Sequence, residues 1–254
     1  MRKIICLSIV ILFVIGLTGC GKNPVFTHLA SGGGGSTTQG AAMSAAAAKM
    51  AVQMVSTSSG GGSAPSYQGA PSYKAAGMTF SDGILTITDE SGGYMKFFYL
   101  NAGGSTINAA DLSSWMTAAM NPVTGAKRGR FQASMADGGV SIVADITITY
   151  VNVGDIYCVS GNGALTGTET VTSGSDSFDV TFSNIEISNK KPVSGSISLS
   201  LTSDVYGNWT VVLTFNADGS ADGTITGPGY SATVHINADG AGTYTDSSGT
   251  HTIS

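Results

Sequence analysis

Ile142-Val143-Ala144-Asp145-Ile146-Thr147-Ile148-Thr149-Tyr150 sets an apolar series, Ile142, Ala144, Ile146, Ile148 and Tyr150, against the mostly polar series Val143, Asp145, Thr147 and Thr149. A period of two belongs to an extended strand with one buried and one wet face, because successive side chains leave opposite sides of a sheet. The pattern recurs further along the chain. Ile197, Leu199 and Leu201 alternate with Ser196, Ser198 and Ser200, and Trp209, Val211, Leu213 and Phe215 with Thr210, Val212 and Thr214. Alternation of this kind marks an antiparallel sheet packed on one side. Phe178, Val180 and Phe182 are even-numbered, whereas the apolar residues that follow, Ile185 and Ile187, are odd-numbered. One extra residue near Ser183-Asn184 produces that change of parity, so a β-bulge is expected there.

Turn chemistry supplies the connections. Asp82-Gly83, Asp137-Gly138, Asn162-Gly163, Asp218-Gly219 and Asp239-Gly240 are tight-turn dipeptides between such runs, so neighbouring strands are expected to be sequential. Roughly ten to twelve short strands fit the chain from residue 77 to residue 254. The expectation is an all-β domain, an antiparallel meander forming a curled sheet, an incomplete barrel or a sandwich. Between Asn101 and Gly129 the pattern lapses. Asp111 to Met120 suits a short helix capped near Asn108 or Asp111, with Leu112, Trp115 and Met116 on one side. A membrane-spanning barrel would carry an apolar outer band, and here the second face is serine, threonine and aspartate.

Before this domain the composition is Gly, Ser, Ala and Thr from Gly21 to about Ala76, with glycine runs at 32–35 and 60–62. Such a segment reads as a flexible tether over residues 20–76. Ala41 to Val55 interrupts it with good helix formers, and Met43, Ala47, Met50 and Met54 recur at helical spacing. A helix of that length is marginal by itself, unless it packs against, or plugs, the domain that follows.

Residues 1–19 form a signal peptide: Arg2 and Lys3, then the apolar run Ile4 to Leu17, then the slim pair Thr18-Gly19. The apolar run falls short of the roughly 20 residues that a permanent transmembrane helix needs. Leu17-Thr18-Gly19-Cys20 resembles the lipobox of bacterial lipoproteins. The resemblance implies cleavage before Cys20, a covalent diacylglycerol on its sulfur and an N-acyl lipid on the new terminus. Two or three chains, at about 0.8 kcal/mol per buried methylene, hold a domain on a membrane where one would not. Gly21 stands where an inner-membrane retention signal would put aspartate, so the resemblance leans towards the outer membrane. It covers about the first 20 residues and implies nothing about the domain beyond them.

Cleavage removes Arg2 and Lys3, leaving 9 basic against 16 acidic residues, −7 in place of −5. An acidic chain without an arginine stripe disfavours nucleic acid as a partner. Of three cysteines, Cys6 leaves with the leader and Cys20 takes lipid, so Cys158 stands alone in the apolar run Ile156-Tyr157-Cys158-Val159 and reads as a buried thiol. His28 falls in the tether and His251 at the chain end. His235 shares parity with Thr233 and Asn237 on the polar face. No Gly-x-Ser-x-Gly elbow, His-Glu-x-x-His helix or phosphate loop occurs, so no enzyme chemistry and no cofactor beyond the lipid are expected.

Phe215-Asn216-Ala217-Asp218-Gly219 returns as Ile236-Asn237-Ala238-Asp239-Gly240, which reads as one hairpin turn used twice. Asp218, Ser220 and Asp222 resemble the first half of a calcium loop. The position of its closing glutamate is Gly229, so no metal site is assigned. Two readings of function remain open. One is a noncatalytic module binding an apolar small molecule or an envelope protein, with Tyr94, Phe97, Phe98, Tyr99 and Trp115 lining its site. The other is a structural or adhesive surface module without a pocket, its Ser/Thr face serving contact. A cavity of several hundred cubic ångströms would favour the first and a packed interior the second.

Overall fold

The computed structural model describes residues 37–58, 75–137, 139–151, 162–189 and 191–253. The lipobox with Cys20, the rest of the tether and Cys158 lie outside them. Thirteen antiparallel strands form one sheet in strict chain order, which curls without closing because β1 and β13 are its two edges. They are β1 (Ala75–Ser81), β2 (Ile84–Asp89), β3 (Tyr94–Leu100), β4 (Arg128–Asp137), β5 (Val140–Tyr150), β6 (Gly163–Ser173) and β7 (Asp176–Ser188). Next come β8 (Lys191–Ser203), β9 (Gly207–Phe215), β10 (Ala221–Gly227), β11 (Tyr230–Ile236), β12 (Gly242–Asp246) and β13 (Gly249–Ile253). Two helices accompany them, α1 (Thr37–Ser58) before the sheet and α2 (Leu112–Ala119) between β3 and β4.

The turns follow from residues that accept positive φ. Asp82 (φ 52°) and Gly83 (φ 73°) join β1 to β2 in two residues, a twist that matches the flanking strands. The repeated Asn-Ala-Asp-Gly motif closes both its hairpins alike. Asn216 and Asn237 N–H donate to Ser220 and Ala241 O, and the Asp218 and Asp239 carboxylates accept the Ser220 and Ala241 N–H. The bulge in β7 also falls where the parity change puts it. Pairing with β8 shifts between Ser183 and Glu186, Asn184 takes φ 46°, and Phe178, Val180, Phe182 and Ile185 are all buried. Asn162-Gly163 differs from expectation: Gly163 opens β6, and Asn162 Oδ1 accepts the Asn189 N–H.

The buried inner face carries two packed clusters. The first joins α1 to the inner residues of β7 to β13, with Ile146 and Leu165 at its border. The second joins α2 to the inner residues of β1 to β5, with Val171. In α2 the Asp111 side chain caps the Ser114 N–H at 2.8 Å. Trp115 and Ala119, four residues apart, are buried, while Leu112, on the same face in the first turn, is exposed.

The helix expected at residues 41–55 runs from Thr37 to Ser58 and is docked on the sheet against β8, β9, β10, β11 and β13. Ala41, Ser44, Ala45, Ala48, Ala51, Val52 and Val55 form one buried stripe at helical spacing, with Ala47 buried beside it. Docking supplies what an isolated helix of this composition lacks. Of the sequence-derived set, Ala47 is described and buried, and the side chains of Met43, Met50 and Met54 lie outside the description.

Candidate functional site

The inner face beneath α1 is the first place to seek a site. Small residues let the helix approach closely, as Gly40 does over Trp209. A Cβ at Gly40 would overlap the Cε2, Cζ2 and Nε1 side of the indole, and a Cβ at Gly227 of β10 would overlap its Cε3 and Cδ2 side. Trp209 is therefore a flat plate between two glycines. Its Nε1–H donates to Tyr206 O at 2.8 Å, and Tyr230 packs 5.4 Å from it, centre to centre. Beside this plate Ser44, Ala47, Phe178, Leu199, Leu201, Trp209 and Val211 enclose a cavity of about 10 Å³, room for on the order of one water molecule. Pockets for small molecules run to roughly 300–1,000 Å³. This cavity is far smaller, and α1 lies on the inner face above it.

The five aromatic residues put forward as a lining do not meet. Phe97, Tyr99 and Trp115 come together with Phe80: Trp115 lies 4.6 Å from Tyr99, 5.4 Å from Phe80 and 6.0 Å from Phe97, centre to centre. Tyr94 and Phe98 have the opposite parity on β3 and face the other side of the sheet. Lys96 Nζ lies 4.7 Å from the Tyr94 ring centre, and the Arg130 guanidinium 5.8 Å from that of Phe98. The parity that defines a strand's faces separates residues that are adjacent in sequence.

Outside, pairing register lines the polar residues into rows. Thr168, Thr181, Ser198, Val212, Thr224, Thr233, Thr245 and Thr250 are successive partners from β6 to β13. Adjacent strands lie about 4.8 Å apart, so these residues form a nearly uncharged ladder with one apolar rung. Ser183, Ser196, Thr214, Asp222, His235, Thr243 and Thr252 form a second row. On β4 and β5 the same face changes character. Arg130 forks onto Asp145 with Nε at 2.7 Å, Gln132 adds a bond at 3.0 Å, and the guanidinium holds the Asp145 carboxyl below its ordinary range.

The proposed calcium donors are turned to internal bonds. Asp218 Oδ1 accepts the Ser220 N–H and O–H, while Asp222 accepts Asn216 Nδ2–H at 2.7 Å and meets His235 Nδ1 at 2.6 Å. His235 Nε2 reaches Asn237 Oδ1 at 3.0 Å, so its parity with Asn237 holds. The Asp222 carboxylate raises the imidazole above its ordinary value, because it favours the charged form. No group of three His, Cys, Asp or Glu suited to a metal occurs among the described residues.

His251 belongs to β13 and is not frayed: its ring stacks on Tyr244 at 4.7 Å. Its Nε2 lies 3.2 Å from both Ser248 Oγ and Asp246 Oδ1, and Ser248 Oγ–H donates directly to Asp246. A nucleophile relay needs the serine on one imidazole nitrogen and the acid on the other. Both partners here share one nitrogen, the geometry of a hydrogen-bonded turn.

Against protein-family models, curated proteins and solved structures alike, the chain finds no match.

One buried group was not singled out by the sequence reading. Glu169 of β6 is 0 % exposed and its two carboxyl oxygens have no hydrogen-bond partner. The signal was present in the sequence, since Leu165, Gly167, Glu169 and Val171 share the parity of a buried face. Burial drives its carboxyl well above the usual carboxylate range.

Proposed function

We propose that the chain is a lipid-anchored bacterial envelope protein whose β-domain is a noncatalytic structural or adhesive module working through its outer face. The observation that carries this reading is the covered inner face: α1 is docked on it, and the cavity beside Trp209 measures about 10 Å³. The outward hydroxyl rows offer donors and acceptors at regular spacing with little charge, which suits contact with a neutral polar partner in the envelope. Cys20 carries the diacylglycerol and N-acyl chains in this reading, and the anchor is placed in the outer membrane. With −7 on the mature chain, nucleic acid is not a partner.

Two variants test the two halves of the proposal. Cys20→Ser is expected to abolish incorporation of labelled fatty acid into the protein, and undiminished incorporation would rule out the lipid anchor. Thr181→Glu with Thr224→Glu places two charges in the hydroxyl row at exposed sites, where substitutions cost within about 0.5 kcal/mol. The soluble Cys20→Ser protein should co-sediment with isolated envelopes, and the added charges should abolish that binding. Equal binding with and without the charges would show that this face is not the contact surface.

A further inference from the structure

We propose that β6 is a protonation-gated hinge between the two halves of the sheet, with Glu169 as its latch. Neutral Glu169 keeps the seam closed, and ionised Glu169 loosens β5 to β7. Three observations converge on this one strand. First, the boundary between the two packed clusters crosses it: Val171 belongs to the α2 cluster and Leu165 to the α1 cluster. The strand partners of Glu169 divide in the same way, Ala144 on β5 belonging to the α2 cluster and Val180 on β7 to the α1 cluster. Second, the ladder is already broken here. Pairing with β7 shifts between Leu165 and Gly167, and Gly167 takes φ 153°, where a Cβ would strike Asp145 O and Ile146 Cα. Third, Glu169 occupies the seam itself with both oxygens unpartnered.

An ionised carboxylate is costly in such surroundings, and no charged group among the described residues faces it. The inner face of β5 presents Ile142, Ala144 and Ile146, and that of β7 presents Phe178, Val180 and Phe182; none of these titrates. Tyr150 shares the β5 inner face but stands six residues beyond Ala144, roughly 20 Å along the strand. Asp145, next to Ala144, and Asp179, next to Val180, face the outer side, where they bond Arg130 and Thr170. α2 holds no charged residue, and Lys49 of α1 donates to Ile253 O at 3.3 Å.

The sign of the effect follows from burial. The unfolded chain loses this proton near the ordinary glutamate value of about 4.3, whereas the folded chain keeps it to higher pH. Closure is therefore most favourable below that value and weakens as pH rises towards the folded value, beyond which it changes no further.

Hydrogen exchange of the Cys20→Ser chain from pH 4 to 8.5 tests the hinge. After correction for intrinsic rates, amides of β5 to β7 should open roughly tenfold more per pH unit between those two values. Glu169→Gln should remove that rise. Glu169→Met, close in length and apolar, should remove it as well and guards against a poorly folded amide variant. Infrared spectroscopy of the unsubstituted site reads the latch directly. A protonated-carboxyl band should persist above the ordinary value of about 4.3 and fade as exchange accelerates. A flat wild-type profile, the same rise in a folded Glu169 variant, or loss of the band at the ordinary value would each overturn the hinge.

Discussion

Trp209→Ala is expected to cost about 3–5 kcal/mol of unfolding free energy, the range for emptying a buried site of this size. The indole is 2 % exposed and makes three kinds of contact. Its faces lie against Gly40 of α1 and Gly227 of β10, its edge meets Tyr230, and its Nε1–H satisfies Tyr206 O. Alanine leaves a cavity between helix and sheet that neither glycine can fill, and it removes the Nε1–H bond to Tyr206 O. Urea denaturation gives the measurement, with an unchanged slope showing that the same surface is exposed on unfolding. A loss under 1 kcal/mol would mean that the plate is not what joins α1 to the sheet.

Gly40→Val attacks the same contact from the helix side and should undock α1 while the sheet survives. The new side chain overlaps the indole, which has no room to retreat because Gly227 closes the opposite side. Overpacking typically costs about 1–3 kcal/mol, occasionally more, and the better helix propensity of valine over glycine returns only a few tenths. Lys49 provides the readout, since its ammonium is held at Ile253 O in the docked helix. Tryptic cleavage after Lys49 should accelerate at least roughly tenfold, the change that about 1.4 kcal/mol of opening free energy produces. Ala42→Val, at an exposed position of the same helix, should leave cleavage unchanged. Equal cleavage in Gly40→Val and Ala42→Val would show that the helix is held elsewhere.

Strand order, sidedness and the β7 bulge were legible in the sequence because a period of two is a local signal that needs only neighbours. The shift from Phe182 to Ile185 carries the bulge in its parity alone. What stayed open was the docking of α1, which the sequence offered only as an alternative to a marginal helix in the tether. Its alanines give no hydrophobic contrast, so the segment reads as low-complexity tether, yet Ala41, Ala45, Ala48, Val52 and Val55 were spaced as a stripe throughout. The value of Gly40 depends on a tryptophan 169 residues later, which no local pattern reports. The aromatic set failed for a simpler reason: Tyr94 and Phe98 differ in parity from Phe97 and Tyr99, and grouping them by proximity in sequence ignored the two faces. Glu169 was readable by parity. Its isolation depends on what β5 and β7 place beside it, and that is a matter of register.

The sheet has two free edges, β1 and β13, at opposite ends of an unbroken meander. The docked helix lies near the second of them, where Lys49 reaches the last described residue of β13. The clustering of small residues on α1 and of hydroxyls outside thus divides the labour. In the proposed reading the inner face holds the domain together and the outer face serves contact.

Native mass spectrometry of the mature Cys20→Ser chain, before and after denaturation, tests most directly whether the interior is filled by the chain itself. The expected result is one mass, that of the polypeptide alone, unchanged by unfolding. A lipid-sized adduct that is present in the folded protein and lost on unfolding would contradict it, and would make the inner face, with α1 displaced, the site of a bound apolar ligand.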